Sequence, residues 1–279
     1  MTPVIKVSML SKTFGARRVL DQIGFEVAPG ERVALIGPSG AGKSTLLRQL
    51  VGLSHPDRGS PARVEVLGRA LSRAGRVRRG SRAERLRTGY IFQQFNLAGR
   101  LNVLTNVLIG RLGAMPRMRA LCGWFCADER RMALDALARV GIDHLAGQRA
   151  NTLSGGQMQR VAIARALVQD AELILADEPI ASLDPRAARE VMEILERVSR
   201  EDGRTLLVSL HQVDYARRHC ERAIALKDGR LYFDGPIGEL TDDRLESLYD
   251  NLALDAIGVE RDARRRALDV PGGMLGATG

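Results

Sequence analysis

Residues 37–45 read GPSGAGKST, and this run limits the possible folds more than any other stretch of the chain. Its spacing is G-x-x-x-x-G-K-[ST], and each part has a mechanical reason. Gly37, Gly40 and Gly42 let the backbone curl so that successive amides point inward at phosphate oxygens. The helix that begins there adds the partial positive charge of its N-terminus. Lys43 is predicted to reach the β- and γ-phosphates, and the Ser44 hydroxyl to ligate Mg²⁺. The surroundings agree with this reading. Val33–Ile36 is a short continuous apolar run, the pattern of a strand buried on both faces. Ser44–Leu53 then places Leu46, Leu47, Leu50 and Leu53 on one helical face.

The remaining periodicity extends this strand–loop–helix unit. Strands are predicted at Val4–Met9, Val19–Val27, Val64–Leu67, Tyr90–Phe92, Leu173–Ala176 and Thr205–Leu210. Helices are predicted at Ser154–Gln169, Pro185–Arg200 and Val213–Cys220. Residues 101–149 read as largely helical, with Asp128–Val140 the clearest amphipathic piece. Ala223–Phe233 reads as a hairpin turning at Asp228-Gly229. Strands alternating with helices imply an α/β core around a mainly parallel sheet. The pattern fades beyond Asp250, and the terminal PGGMLGATG reads as a loose tail.

Composition narrows the class. The 279 residues are 45% hydrophobic and 27% charged, the balance of a globular domain. No apolar run approaches the roughly 18 residues needed to cross a bilayer. Lys6 interrupts the only apolar stretch of the N-terminus, so a cytoplasmic location is expected. Cys122 and Cys126 lie four apart, but neither a second pair nor a nearby His completes a zinc set. The net charge of +9 is concentrated in residues 63–87, which hold nine arginines against Glu65 and Glu84. That segment reads either as a solvated face or as an approach to anionic headgroups. It lacks the interleaved aromatics of a single-strand nucleic-acid platform, so no nucleic-acid partner is expected.

A phosphate loop alone fits kinases, GTPases, helicases and transport ATPases. No Asn-Lys-x-Asp occurs, and none of the four lysines follows an Asn, which removes the usual guanine-reading element. Asp177 and Glu178 follow the buried run Leu173–Ala176, at the strand end where ligands of parallel sheets bind. Asp177 is predicted to hold the metal through a water. Glu178 is predicted to polarise the attacking water. A second anion site stands at Leu153, Ser154, Gly155, Gly156 and Gln157. Ser154 is a good N-cap, and the two glycines bare the amides of the following helix. The segment has no lysine of its own. It is predicted to serve ATP held by a second copy of the chain.

With these motifs in this order, residues 4–245 resemble the nucleotide-binding subunits of ATP-binding cassette (ABC) transporters. The resemblance implies a P-loop NTPase of the ABC type. Its mainly parallel sheet core would carry an antiparallel β subdomain and a helical subdomain at about 101–165. The domain would span 1–247, followed by a C-terminal extension at 248–279. ATP and Mg²⁺ are the implied ligands, with residues Gly37, Pro38, Ser39, Gly40, Ala41, Gly42, Lys43, Ser44 and Thr45 around the phosphates. Phe14 stands where the family stacks a ring on adenine. Gln93, rather than Gln94, resembles the glutamine that touches Mg²⁺ and the attacking water. LSGGQ, residues 153–157, is similar to the family signature. Ser182, Leu183 and Asp184 resemble the loop that crosses the dimer interface. His211 resembles the histidine that contacts the γ-phosphate.

Narrower features resemble one branch. EPIASLDP from Glu178 to Pro185, FQQFNL, LHQVDYA and RANTLSGGQ are similar to phosphonate-importer ATPases. That likeness implies a separate permease, a periplasmic solute-binding protein and a place on the cytoplasmic face of the inner membrane. Importers of phosphite or phosphate esters, and non-transport ABC ATPases, remain alternatives. DNA-repair relatives carry long coiled-coil insertions, and 101–149 has no sustained heptads.

Overall fold

Two sheets share the chain, which a computed structural model describes at residues 2–73, 76–77 and 86–249. The first has the order β2-β1-β4-β5-β6 and is antiparallel throughout. It comprises β1 (Ile5–Phe14), β2 (Arg17–Val27), β4 (Arg63–Val66), β5 (Arg69–Arg73) and β6 (Arg76–Val77). The second has the order β11-β10-β3-β9-β8-β7. Its strands are β3 (Arg32–Ile36), β7 (Thr88–Ile91), β8 (Leu173–Ala176), β9 (Thr205–Ser209), β10 (Arg222–Lys227) and β11 (Arg230–Pro236). All its pairs are parallel except β10 with β11. Every residue of β8 and β9 is buried. Continuous apolar runs are what a parallel sheet covered on both faces requires.

This topology sets the site. The strands β3, β9, β8 and β7 lie side by side and point the same way. Their carboxyl ends therefore deliver the loop after Ile36, His211, Asp177-Glu178 and Gln93 to one edge of the sheet. Helix α1 (Lys43–Leu50) leaves that edge and buries Leu46, Leu47 and Leu50 against Ile5, Leu10, Leu20 and Ile23 of the antiparallel sheet. Leu53 does not join them. Gly52, at φ 70°, ends the helix, and Leu53 is 61% exposed. The apolar period ran on through a terminator.

The helical part contains α2 (Val103–Leu108), α3 (Arg117–Cys122), α4 (Ala127–Arg139) and α5 (Gly155–Val168). Val103, Val107, Ala133, Leu137, Val161 and Ala162 form its interior. Helices α6 (Pro185–Asp202), α7 (Val213–His219) and α8 (Asp242–Leu248) complete the chain. Asp184 caps α6, accepting from the amides of Arg186 and Ala187 at 3.0 Å, and Pro185 takes the first helical position. On the outside, Met118, Leu121 and Trp124 are exposed within one short stretch. Among the described residues no helix is long and apolar enough to cross a membrane.

Strand β1 runs five residues past Met9, and β5 and β6 extend a stretch where only one strand was expected. Leu67 and Gly68, both at positive φ, make the turn from β4 to β5. Of the Arg-rich segment, Arg63 pairs with Glu65 and Arg87 with Glu172. Its centre lies outside the described residues, as does the predicted extension from residue 250 onward.

Asn106 orders the loop that leads from β7 to α2. It is fully buried. Its Oδ1 accepts from the Ala98 amide at 2.8 Å, and its Nδ2 donates to the carbonyls of Ala98 and Asn102 at 3.1 and 3.0 Å. Asn106→Ala strands those buried groups, each at about 1–3 kcal/mol. We expect a loss of about 2–4 kcal/mol in urea unfolding, together with faster amide exchange at residues 98–102. Asn106→Asp keeps the acceptor for the Ala98 amide but sets a buried carboxylate oxygen against the carbonyls of Ala98 and Asn102, so at neutral pH it should lose at least as much.

Candidate nucleotide site

The loop after β3 is shaped by glycines that no other residue could replace. Gly37 and Gly42 adopt φ 142° and 105°. A Cβ on Gly37 would lie 2.2 Å from the Leu226 carbonyl oxygen, and one on Gly42 would lie 2.7 Å from Leu20 Cδ2. The loop is thus pressed against β10 and β2. No side chain caps α1, so its first amides stay free to face an anion. Lys43 is buried and folds back, donating to the carbonyls of Gly37 at 2.7 Å and Pro38 at 3.2 Å. Burial pushes its pKa below the ordinary lysine value, while Glu178 and Asp177 oppose that shift. A cleft of about 210 Å³ opens beside it. Arg17, Val19, Gly40, Gly42, Lys43, Ser44, Thr45 and Glu178 line the cleft.

Asp177 is 3% exposed. Its Oδ1 accepts from Ser44 Oγ at 2.8 Å and from Ser209 Oγ at 3.1 Å. Its Oδ2 accepts from Tyr90 Oη at 3.0 Å. Glu178 follows in a left-handed conformation, φ 48°, held by its amide donating to Ser209 Oγ at 2.8 Å. Its Oε1 lies 2.6 Å from His211 Nε2, and its Oε2 accepts from Gln93 Nε2 at 3.1 Å. The His211 hydrogen bond holds the Glu178 carboxyl below its ordinary value, with burial opposing in part. The site residues expected at Gln93, Asp177, Glu178 and His211 are therefore brought together with the phosphate loop. Gln93 and Gln94 are both exposed, and it is Gln93 that bonds to Glu178.

Phe14 ends β1 opposite Arg17 and is 53% exposed, with Lys12 Nζ 5.1 Å from its ring centre. The stretch Leu153–Gln157 does not line the cleft. Ser154 and Gln157 form a reciprocal cap: the Ser154 amide donates to Gln157 Oε1 at 2.9 Å, and the Gln157 amide to Ser154 Oγ at 3.3 Å. The two glycines have a further reason to be small. A Cβ on Gly156 would lie 2.9 Å from Ala187 Cβ, and one on Gly155 would lie 3.1 Å from Leu183 Cδ2. The segment 153–157 and the stretch from Leu183 to Ala187 thus pack on each other within one chain. Three residues of the edge carried no motif: Arg17, Tyr90 and Ser209. Ser209 could have been found as a polar residue closing a buried strand. Arg17 and Tyr90 had no signal of that kind.

Comparison with known proteins agrees with the geometry. The ABC transporter family matches residues 20–181. A phosphonates import ATP-binding protein PhnC from Stutzerimonas stutzeri is 56% identical over 267 residues, covering 96% of each chain. A PhnC protein from Pseudomonas aeruginosa is 57% identical, covering 89% of this chain and 90% of its own. Among solved structures, a dimeric ATP-binding cassette, MJ0796, in a post-hydrolysis state with ADP and Pi aligns with a TM-score of 0.71. It is 33% identical, and the match covers 84% of this chain and 98% of that one. The chain belongs to the ABC transporter family.

Proposed function

We propose that this chain is the ATP-hydrolysing subunit of an importer that carries phosphonates through a separate membrane permease. One observation carries the chemistry: Glu178, held by His211 and Gln93, stands at the cleft that Lys43 and Ser44 line. The likeness to PhnC import proteins carries the solute class.

The amides of the loop at Gly37, Ser39, Gly40, Ala41, Gly42, Lys43, Ser44 and Thr45 hold the β- and γ-phosphates, with Pro38 contributing shape. Lys43 exchanges its loop carbonyls for phosphate oxygens, a charge-assisted bond replacing neutral ones. Phe14 stacks on adenine. Arg17, on the wall of the cleft, adds a cation. The donor set suits Mg²⁺: hard hydroxyl and amide oxygens come from Ser44 and Gln93, and the Asp177 carboxylate would hold the ion through a water. Bound there, the ion neutralises charge developing on the phosphates.

Glu178 takes the proton of the attacking water. Each of its oxygens has a lone pair beyond the one used by His211 or Gln93. Its lowered pKa keeps it ionised across the neutral range. The amides of Gly155 and Gly156, which the Ser154–Gln157 cap does not use, meet ATP held by a second copy, and Ser182, Leu183 and Asp184 line the seam between the two. The dimeric state of the solved cassette supports that arrangement. Closure of the dimer moves the permease, which a periplasmic binding protein supplies. The exposed Met118, Leu121 and Trp124 are surface of the kind that marks a protein contact, and they favour a permease-bound subunit on the cytoplasmic face of the inner membrane. The deciding experiment is purification of the complex in detergent. Its ATPase is then tested for stimulation by the binding protein with phosphonate, phosphite or a phosphate ester.

Two variants test the chemistry. Lys43→Ala should nearly abolish ATP binding and turnover, measured by calorimetry and phosphate release; near-normal affinity would remove this loop from the site. Glu178→Gln should bind ATP at least as tightly, because a negative charge near the γ-phosphate is gone. Turnover should fall by about 10²–10⁴, the usual worth of general-base assistance. Sedimentation with Mg-ATP should then show a stable dimer. Wild-type turnover in that variant would take Glu178 out of the mechanism.

A further inference from the structure

Tyr90 makes a contact that the reaction as described does not use. It sits on β7, the strand beside β8, and its Oη donates to Asp177 Oδ2 at 3.0 Å. The other oxygen, Oδ1, is the one beside Ser44 Oγ, at 2.8 Å. The phenol ring is itself fixed, edge-on to Phe92 with centroids 4.5 Å apart.

A carboxylate attached by a single bond can rotate about that bond. Its broad two-fold torsion resists rotation only weakly. Ser44 and Ser209 restrain that torsion through Oδ1. Tyr90 is the described side chain that restrains it through Oδ2, and without it that oxygen loses its donor. We propose that Tyr90 is a positioning residue for the divalent cation, locking the Asp177 carboxylate so that Oδ1 faces the ion on the Ser44 side. The proposal rests on the reading of the cleft as a Mg-ATP site. Mg²⁺ demands near-ideal octahedral geometry, whereas Ca²⁺ tolerates irregular coordination. A loosened carboxylate should therefore penalise Mg²⁺ more than Ca²⁺, and should leave cation-free nucleotide binding alone.

The test is Tyr90→Phe in the full chain, which removes one oxygen and keeps the ring. ATP affinity is measured in EDTA, then across titrations of Mg²⁺ and of Ca²⁺. We expect unchanged affinity in EDTA. The Mg²⁺ concentration for half-maximal enhancement should rise by about three- to tenfold, the scale of one lost hydrogen bond to a charged group. The Ca²⁺ requirement should move less. An unchanged Mg²⁺ requirement would overturn the proposal. So would an equal loss with and without cation, or a chain that unfolds at the assay temperature, since either makes the hydroxyl structural. Failure of the parent chain to bind ATP at all would instead refute the proposed function, independently of Tyr90.

Discussion

Asp177 is almost fully enclosed, and an ionised carboxylate in that position is tolerated only when its oxygens are hydrogen-bonded. Three hydroxyls meet that need, and each comes from a different element: Ser44 from α1, Tyr90 from β7 and Ser209 from β9. The carboxylate itself follows β8. One buried charge therefore ties the phosphate loop to three neighbouring strands of the parallel sheet. The mutual placement of the remaining site residues depends on this knot. Gln93 follows β7 closely, His211 follows β9, and Lys43 precedes Ser44. Hydrogen bonds to a charged acceptor are stronger than neutral ones, and replacing any of the three donors leaves part of that charge uncompensated.

Glu178, one residue on, lives under different physics. It stands in a left-handed backbone conformation that non-glycine residues rarely adopt, held there by the bond from its amide to Ser209. That twist turns consecutive carboxylates in different directions, Asp177 into the sheet and Glu178 to the cleft wall. The largest influence lowering its pKa is the His211 hydrogen bond. Losing that bond would make Glu178 a stronger base.

The segment 153–157 is built by the same economy of contacts. Gly155 and Gly156 lie so close to Leu183 and Ala187 that a methyl group on either would collide or crowd. Nearby, Arg165 of α5 donates to the carbonyls of Asn96 and Phe95 at 2.7 and 3.1 Å. Both residues hold positive φ. The loop after Gln93, the helix that starts at Gly155 and the stretch from Leu183 to Ala187 are consequently one packed unit. A shift in any of them is felt by the others, because close-packed interiors transmit strain.

Sequence alone determined the phosphate loop, the carboxylate pair, the signature cap and the order of strands and helices around them. These are local: each is a short spacing whose geometry follows from backbone sterics, helix caps or burial period. The helix end at Gly52 was missed because an apolar period can outrun its terminator, and β5 because arginines mask alternation. Only the tertiary structure decided that Tyr90, Ser209 and Arg17 belong to the site. Tyr90 and Ser209 reach it across neighbouring strands, 87 and 32 residues from Asp177 in the chain. The packing reason for the signature glycines likewise lies in Leu183 and Ala187, some thirty residues away. Contacts between strands depend on sheet order, and sheet order follows from how buried faces are covered rather than from any one segment's pattern.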